Sequence, residues 1–206
     1  MKEKSLDLIC IGRSSVDLYG QQVGGRLEDM GGFAKYVGGS PTNTSIGAAR
    51  LGLKSALLTR VGDEHMGRFI RETLQREWVD TSHVITDPQR LTALVLLGIQ
   101  DEEQFPLIFY RENCADMAIC EDDIDENFIA RSRTVLVSGT HLSTERVAAA
   151  SHKAMKLGRK HGARVALDID FRPNLWNLAG HGAGESRFIA ARVSALTCKS
   201  TWVIVI

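Results

Sequence analysis

Short apolar runs alternate with segments of helical periodicity over residues 6–78, and this alternation constrains the fold more than any other feature. Residues 6–11 (LDLICI) and 55–62 (SALLTRVG) are short, apolar and bounded by glycine or polar residues, as buried strands are. Residues 41–51, which end before Gly52, and residues 63–78 have helical patterns. Strand, helix, strand and helix at this spacing predict an α/β fold with crossover units on a mostly parallel sheet.

The segment 63–78 gives the clearest helix pattern in the chain. Asp63 stands directly before the periodic residues, so we predict that it caps the helix. Apolar residues recur at helical spacing and predict one buried face, which consists of Met66, Phe69, Ile70, Leu74 and Trp78.

The middle of the chain has a different pattern. Residues 92–99 and 106–111 are two extended apolar runs joined by a short polar segment, which predicts a hairpin and not a crossover. Together with residues 32–37 this hairpin predicts a small separate sheet that could cover a site. The alternation then resumes with a strand, a long helix and a strand at 134–139, 144–161 and 164–170.

Composition excludes several classes of protein. The 206 residues are 44% hydrophobic, so a sizeable core can form, and the formal net charge is zero. We therefore expect no nucleic acid and no membrane as a partner, since neither a basic surface nor a bilayer-length apolar run of about 20 residues is present. The four cysteines form no CxxC pair, so we expect a reduced, cytoplasmic protein without structural zinc.

Residues 36–52 (YVGGSPTNTSIGAARLG) raise the main functional question. Gly38 and Gly39 allow a sharp turn and a close approach of a ligand, Ser40 suits an N-cap, and Pro41 suits the first helical position. Asn43 stands at the third helical position, where a capping box would have Glu or Gln. Two interpretations remain open from these residues: a well-capped helix and nothing more, or a helix start whose unpaired N–H groups face a ligand.

The sequence contains neither of two common nucleotide-binding motifs in full. Residues 47–55 (GAARLGLKS) nearly match the phosphate-binding loop GxxxxGK[ST], but Leu53 interrupts the motif and the order is helix to strand, the reverse of what the loop requires. The chain has no GxGxxG, which argues against an NAD-dependent oxidoreductase.

Taken in order, several segments resemble the PfkB family of carbohydrate kinases, which has the ribokinase-like fold. They are GRSSVDLYG (12–20), GGSPTNTSIGAARLG (38–52), RVGDEHMGRFI (60–70), FYRENCADMAI (109–119) and LDIDFRPNLW (167–176). The resemblance implies a mostly parallel sheet flanked by helices, with a small β lid whose strands lie within about residues 13–38 and 90–112. It also implies transfer of the γ-phosphoryl group of ATP, with Mg²⁺, to a primary hydroxyl of a sugar.

The first, fourth and fifth of these segments are similar to members that act on deoxygluconate-type sugar acids, with 2-keto-3-deoxygluconate as a close competing substrate. The resemblance implies that Asp17, after the first strand, accepts hydrogen bonds from sugar hydroxyls, as a carboxylate can. It implies the same sugar-binding role for Gly38, Gly39 and Asn43. We therefore expect the helix start to face the sugar.

Charged residues complete the expected site. Arg111, at the end of a lid strand, would bind the carboxylate of a sugar acid, although a solvated strand-end arginine is the alternative. The resemblance puts Arg172 near the transferred phosphate. Asp168 and Asp170 would orient Arg172 or join a phosphate and magnesium–water network, or else form local backbone bonds only.

The catalytic motif of the family, a GxGD at a helix start, does not occur in this sequence, and GAGE at 182–185 is a lookalike. Residues 190–206 depart from the family pattern and end on apolar residues. We therefore expect residues 1–206 to be one incomplete kinase domain, truncated before its ATP-binding half. The lid strands also allow a homodimer. A non-catalytic module that binds sugar acids stays open as an alternative.

Overall fold

Two sheets make up the fold in a computed structural model that describes residues 4–101, 106–170 and 202–204, the last of these by backbone alone. Within these residues the strands and α-helices, in chain order, are β1 (Leu6–Ile11), β2 (Ser15–Gly20), β3 (Phe33–Gly38), α1 (Ser40–Arg50), β4 (Ser55–Gly62), α2 (His65–Arg76), β5 (Val84–Asp87), β6 (Ala93–Leu97), β7 (Leu107–Tyr110), α3 (Glu126–Ala130), β8 (Ser132–Ser138), α4 (Glu145–Lys160), β9 (Arg164–Asp168) and β10 (Trp202–Ile204).

The larger sheet has six strands in the order β10-β9-β8-β1-β4-β5, and its pairings are all parallel. Alternate residues of β1 enter two different cores. Ile9 and Ile11 pack in a cluster with Met155 of α4, whereas Cys10 packs in a cluster with Ile70 of α2. Helices therefore cover both faces of the sheet, and the predicted α/β class is confirmed.

The smaller sheet has the strand order β3-β2-β6-β7 and forms a lid. Strands β6 and β7 pair antiparallel, which confirms the predicted hairpin, and β2 pairs antiparallel with β3 and parallel with β6. The face of the lid that carries Val16, Leu18 and Leu94 packs on the core cluster that includes Ile70. Asp17 lies between Val16 and Leu18 in β2 and therefore on the opposite face.

Both predicted helix caps are wrong by one residue. The N-cap of α1 is Gly39, at φ +97°, and Ser40 is already helical; its hydroxyl donates to Asp168 instead of capping the helix. The N-cap of α2 is Glu64 and not Asp63, because the longer Glu64 side chain reaches back to accept from the N–H groups of Met66 and Gly67.

One predicted core residue is also wrong. Trp78 lies beyond the end of α2, has φ +60° and is 89% exposed. Ile70 and Leu74 are fully buried as predicted, and Met66 and Phe69 are partly buried. The apolar spacing continues two residues beyond α2, which ends at Arg76.

The apolar tail contributes an edge strand that the sequence pattern did not predict. The backbone of Trp202–Ile204 pairs in parallel with β9, from Ala166 to Asp168. Among the described residues, no helix combines the length and the apolar character that crossing a membrane requires.

Candidate functional site

The carboxyl ends of three neighbouring parallel strands meet at one edge of the larger sheet. Gly12 and Arg13 follow β1, Ser138 ends β8, and Asp168 ends β9. In open α/β sheets ligands bind at this edge, where loops leave the strands. The candidate site is built there, between the sheet and the lid.

Asp17 lies inside β2, in the lid, and not in a loop after β1. Its Oδ1 accepts a hydrogen bond of 2.8 Å from the hydroxyl of Ser15. Burial raises the pKa of Asp17 above that of an ordinary aspartate, although the Ser15 hydrogen bond and the positive charge of Arg13 act in the opposite direction. The carboxylate is therefore partly desolvated, which strengthens any hydrogen bond that it accepts.

Gly38 and Gly39 form the turn that joins the lid to α1, and each is required by a close contact. A Cβ on Gly38 would overlap the carboxylate of Asp17. A Cβ on Gly39 would overlap the backbone carbonyl of Arg13, and Gly39 has φ +97°, which side-chain-bearing residues rarely adopt. The turn therefore lies directly on Asp17 and Arg13.

Asn43 is exposed on the first turn of α1, and its N–H donates to the carbonyl of Gly39 at 2.9 Å. Asp17 and Asn43 thus both adjoin the Gly38–Gly39 turn: the Asp17 carboxylate lies against Gly38, and the Asn43 backbone bonds to Gly39. The structure therefore brings Asp17 against the Gly38–Gly39 turn and puts the backbone of Asn43 one helical turn after Gly39.

Arg111 is 7% exposed, so the alternative of a solvated strand-end arginine is excluded. Its Nε and Nη2 lie 2.9 Å and 2.8 Å from Oδ2 of Asp116, a fully buried carboxylate that the sequence analysis missed. A turn that includes Asn113, at φ +51°, brings Asp116 back to the end of β7. The two charges compensate each other. Either ion alone would be strongly destabilising at this buried position.

A groove with a cavity volume of about 670 Å³ adjoins this pair. Arg111, Thr92, Leu94 and Cys114 are among its lining residues, whereas Asp17, Gly38 and Asn43 are not. The groove therefore lies beside the joint between the lid and the core, and does not coincide with the expected sugar position.

His141 is a second residue that the sequence analysis missed. Its Nε2 lies 3.2 Å from the backbone carbonyl of Asp116, so Nε2 carries the proton. Burial lowers the pKa of His141 to about 4, and the positive charge of Arg111 acts in the same direction. Its Nδ1 has no hydrogen-bond partner within the described ranges, and it lies 2.8 Å from the position of a Cβ on Gly12. His141 is therefore a neutral group at pH 7.

Asp168 and Asp170 form a buried acidic pair at the end of β9. Asp168 accepts from the hydroxyl of Ser40, and Asp170 accepts from the hydroxyl of Ser138 at 3.2 Å. The N–H of Asp170 donates to Asp168 at 3.1 Å while Asp170 holds φ +34°, a strained value for a residue with a side chain. The local backbone bond that the sequence analysis left open as an alternative is thus present, alongside one bond to helix α1 and one bond to strand β8.

The described residues do not form a complete metal site. No cluster of three or more His, Cys, Asp or Glu side chains suited to a metal ion is found in the described part of the chain. Mg²⁺ is commonly held by one or two carboxylates together with nucleotide phosphates, so Asp168 and Asp170 would fit such an ion only once a nucleotide is bound. Arg172 and the GAGE sequence at 182–185 lie outside the described residues.

Residues 5–181 match the pfkB family of carbohydrate kinases. The chain is 41% identical over 176 residues to a 5-dehydro-2-deoxygluconokinase of Geobacillus kaustophilus (strain HTA426), covering 85% of this chain and 52% of that protein. It is 35% identical over 176 residues to a protein of the same name from Bacillus subtilis (strain 168), covering 85% of this chain and 54% of the relative. The chain therefore spans about half the length of these relatives.

Solved structures agree with the fold. A PfkB protein from Polaromonas sp. JS666 superposes with a TM-score of 0.87 at 29% identity, over 97% of this chain and 65% of that chain. A fructokinase from Halothermothrix orenii gives a TM-score of 0.81 at 26% identity, over 96% of this chain and 67% of that chain. An uncharacterized sugar kinase of Pyrococcus horikoshii, solved with ATP, shares the fold at 24% identity and a TM-score of 0.83, over 95% of this chain and 62% of that chain. The family match over most of its length shows that this chain belongs to the PfkB family of carbohydrate kinases.

Proposed function

We propose that this chain carries the sugar-binding part of a kinase that uses ATP to phosphorylate 5-dehydro-2-deoxy-D-gluconate at its primary hydroxyl, giving the 6-phosphate, a step of inositol catabolism. The observation that carries the proposal is the carboxylate of Asp17, which lies against Gly38 beside the first turn of α1. The name shared by the relatives from Geobacillus kaustophilus and Bacillus subtilis supports the choice of substrate.

Asp17 binds sugar hydroxyls because one carboxylate can accept from two of them at once. Gly38 and Gly39 present backbone with no side chain, so a sugar ring or chain can approach the helix start closely. The amide of Asn43, an exposed residue on the first turn of α1, supplies a donor and an acceptor.

Arg111 and Arg172 are the cations that we assign to the acidic end of the substrate and to the phosphate. A guanidinium binds a carboxylate or phosphate oxygen pair through parallel N–H bonds. Asp116 holds Arg111 from one side, which fixes the direction of its remaining N–H groups.

The reaction breaks the bond between the β,γ-bridging oxygen and the γ-phosphorus of ATP, and forms a bond from the sugar oxygen to that phosphorus. The hydroxyl proton passes to a base, which we do not assign among the described residues. Mg²⁺, when bound, would neutralise phosphate charge, and Asp168 and Asp170 are the carboxylates that would hold it with the nucleotide. The lid limits competition from water as the phosphoryl acceptor.

We place the reaction in the cytoplasm. The described cysteines, Cys10 and Cys114 among them, are free thiols, as is usual in a reducing compartment.

The test is an assay of ADP release from ATP with the sugar acid as acceptor, paired with direct binding of the sugar acid. The proposal expects saturable binding of the sugar acid that Asp17→Asn weakens about tenfold to a hundredfold, since a hydrogen bond to a charged group contributes about 1.5–3 kcal/mol. A chain that binds no sugar acid, with or without ATP, contradicts it.

The absence of a GxGD sequence favours a second candidate, a module of the same fold that binds sugar acids without catalysis. Such a module binds the sugar acid, releases no ADP, and shows the same affinity with and without ATP. A change of sugar affinity when ATP is present favours the kinase.

A further inference from the structure

We propose that His141 is a positioning residue, which holds Arg111 in the orientation in which it meets the acidic end of the substrate. His141 acts through Asp116 and does not touch the sugar acid itself. The inference rests on the proposed function and deepens it, because it explains how a buried cation is kept in one orientation. Neither the sequence pattern nor the family resemblance assigned a role to His141.

Among the described residues, Arg111 is held by a single carboxylate oxygen. Its Nε donates to Oδ2 of Asp116 at 2.9 Å, and its Nη2 lies 2.8 Å from the same oxygen but has no aligned acceptor within the described ranges. Arg111 also lines the groove beside the joint between the lid and the core. A guanidinium carries five N–H donors, so Asp116 leaves others for the carboxylate of a ligand, and the position of Asp116 decides their direction.

The carboxylate of Asp116 depends on its own backbone for its position. Asp116 is fully buried, and its Oδ1 has no hydrogen-bond partner in the part of the chain that the structure describes. Within the same residues, its Oδ2 pairs with Arg111 alone. Asp116 belongs to a short 3-10 turn, Ala115–Ala118, outside both sheets. A shift of this turn would therefore move the carboxylate, and Arg111 with it.

His141 holds this turn in place. Its Nε2–H donates to the backbone carbonyl of Asp116 at 3.2 Å. His141 itself lies in the 3-10 turn Gly139–Leu142, which directly follows β8, and it is 1% exposed. The bond therefore ties the turn that carries Asp116 to the carboxyl end of a central strand of the larger sheet.

The other edge of the imidazole ring faces the sugar-hydroxyl part of the candidate site. A Cβ built on Gly12 would lie 2.8 Å from Nδ1 of His141 and 2.9 Å from Cγ of Pro41. Pro41 is in the first turn of α1, which begins directly after the Gly38–Gly39 turn. His141 therefore adjoins both the helix start that we assign to the sugar and the turn that orients Arg111. Close packing on this side limits movement of the ring.

Histidine suits this position because its ring donates a hydrogen bond without carrying a charge. Burial lowers the pKa of His141 to about 4, and the positive charge of Arg111 acts in the same direction, whereas Asp116 acts against it. The ring is therefore neutral at pH 7. A lysine or arginine would place a second cation beside Arg111, and like charges at close range repel each other. The neutral ring instead holds the backbone of Asp116 and leaves its carboxylate to Arg111.

The first test measures exchange of the Arg111 Nε–H proton with water, by NMR of the ligand-free 206-residue chain. Its signal is assigned by its loss in Arg111→Lys. This N–H is buried and bonded, so we expect slow exchange in the wild type. Exchange should be about tenfold or more faster in His141→Leu, which has no donor, and slow again in His141→Gln, whose amide restores one. The control is Nε–H of Arg50, bonded at 2.8 Å to Glu77 on the exposed surface, which should not change.

The second test measures calorimetric binding of 5-dehydro-2-deoxy-D-gluconate and of the primary amide of the same acid. The wild type should prefer the acid at least tenfold, because Arg111 binds a carboxylate through charge-assisted hydrogen bonds. His141→Leu should bind the acid about fivefold or more weakly and the amide within about twofold of the wild type, because a misplaced guanidinium affects mainly the anion. His141→Gln should keep both affinities within about twofold.

Unchanged exchange of the Arg111 proton in His141→Leu would overturn the inference. So would equal losses for the acid and the amide, which indicate a merely structural role, a wild type without preference for the acid, or a loss in His141→Gln as large as in His141→Leu. If His141→Leu does not fold, as judged by circular dichroism, His141→Asn replaces it with the same expectations, because its shorter amide does not reach Asp116. A wild type that binds neither ligand refutes the proposed function, and the exchange rates then decide alone whether His141 orients Arg111.

Discussion

Gly38 matters because the space where its side chain would lie is filled by the Asp17 carboxylate. An alanine there must displace Asp17, so we predict that Gly38→Ala lowers affinity for the sugar acid about tenfold or more. Isothermal titration calorimetry measures this directly. An affinity within twofold of the wild type would contradict the site described above.

Gly47 provides the matched control in the same helix. Among the described residues, no atom outside the adjacent backbone of α1 lies within 4 Å of where its Cβ would be. Gly47→Ala should therefore leave sugar affinity unchanged and stabilise α1 by about 0.5–1 kcal/mol, since alanine is the better helix former.

We expect the ionised Asp17 carboxylate to lower the free energy of unfolding of this chain. Its pKa is raised by burial, so the ionised form is disfavoured in the folded chain relative to the unfolded one. We predict that Asp17→Asn raises the melting temperature at pH 7 while it weakens sugar binding. The stability gain should shrink as the pH is lowered through the pKa of folded Asp17, and it should vanish below the ordinary aspartate range of about 3.9, where the carboxyl is protonated in both states. Thermal melts of both proteins at several pH values check this, and a lower melting temperature for Asp17→Asn at pH 7 would refute it.

The sequence predicted most of the candidate site residues but not the contact between Arg111 and Asp116. The resemblance to PfkB kinases indicated Asp17, Gly38, Gly39 and Asn43; of these, Asp17 lies against Gly38, and Asn43 bonds to Gly39 through its backbone. Asp116 was not predicted. It reaches Arg111 through an irregular turn, and no periodic sequence pattern predicts the path of such a turn.

Among the secondary-structure elements, the joint between the lid and the core depends on the cap of α2. Glu64 caps α2 and also accepts from the N–H and hydroxyl of Thr92, which leads into β6. The hydroxyl of Thr92 in turn accepts from the N–H of Gly62 at 3.0 Å. One carboxylate thus ties the start of a helix to the start of a lid strand.

We predict that Glu64→Ala destabilises the chain by about 1–2 kcal/mol, the usual effect of losing a cap. Burial alone would raise the pKa of Glu64, but the bonds from Thr92, Met66 and Gly67 outweigh it and lower the pKa. The stabilisation is therefore present above the ordinary glutamate pKa and is lost as the pH falls through the pKa of folded Glu64. Urea unfolding at pH 7 measures the effect. Asp63→Ala is the control, since exposed Asp63 has only a 3.9 Å contact to Arg68 among the described ion pairs; an equal loss in both variants would contradict the assignment of the cap.

Elements were easier to predict than their ends. The apolar runs at 6–11, 55–62 and 134–139 indicated strands correctly, because burial on both faces leaves no polar alternation. Helix ends were missed by a residue because Glu64 and Asp63 are both acidic, and only the path of the backbone decides which carboxylate reaches the helix N–H groups.

On the scale of the whole molecule, the lid leaves an exposed edge. Strand β7 lies at the edge of its sheet, and Leu107, Ile108 and Tyr110 are each more than 40% exposed. Apolar edge strands tend to pair with another chain. We propose a homodimer formed through the lid strands.

A charge on that edge should oppose the dimer. We predict that Ile108→Lys shifts the chain to monomer in analytical ultracentrifugation at concentrations where the wild type is a dimer. Leu51→Lys, at an equally apolar but distant turn that is 84% exposed, should leave the association unchanged. A wild type that stays monomeric at about 100 μM would refute the proposal, because an interface of normal size binds more tightly than this.

The proposed kinase binds its sugar acid at the Gly38–Gly39 turn. The most direct test is calorimetric titration of 5-dehydro-2-deoxy-D-gluconate into the wild-type chain and Asp17→Asn. We predict one site per chain in the wild type and an affinity lower by about tenfold to a hundredfold in Asp17→Asn. Absence of binding in the wild type, or equal affinity in both proteins, would contradict the central claim.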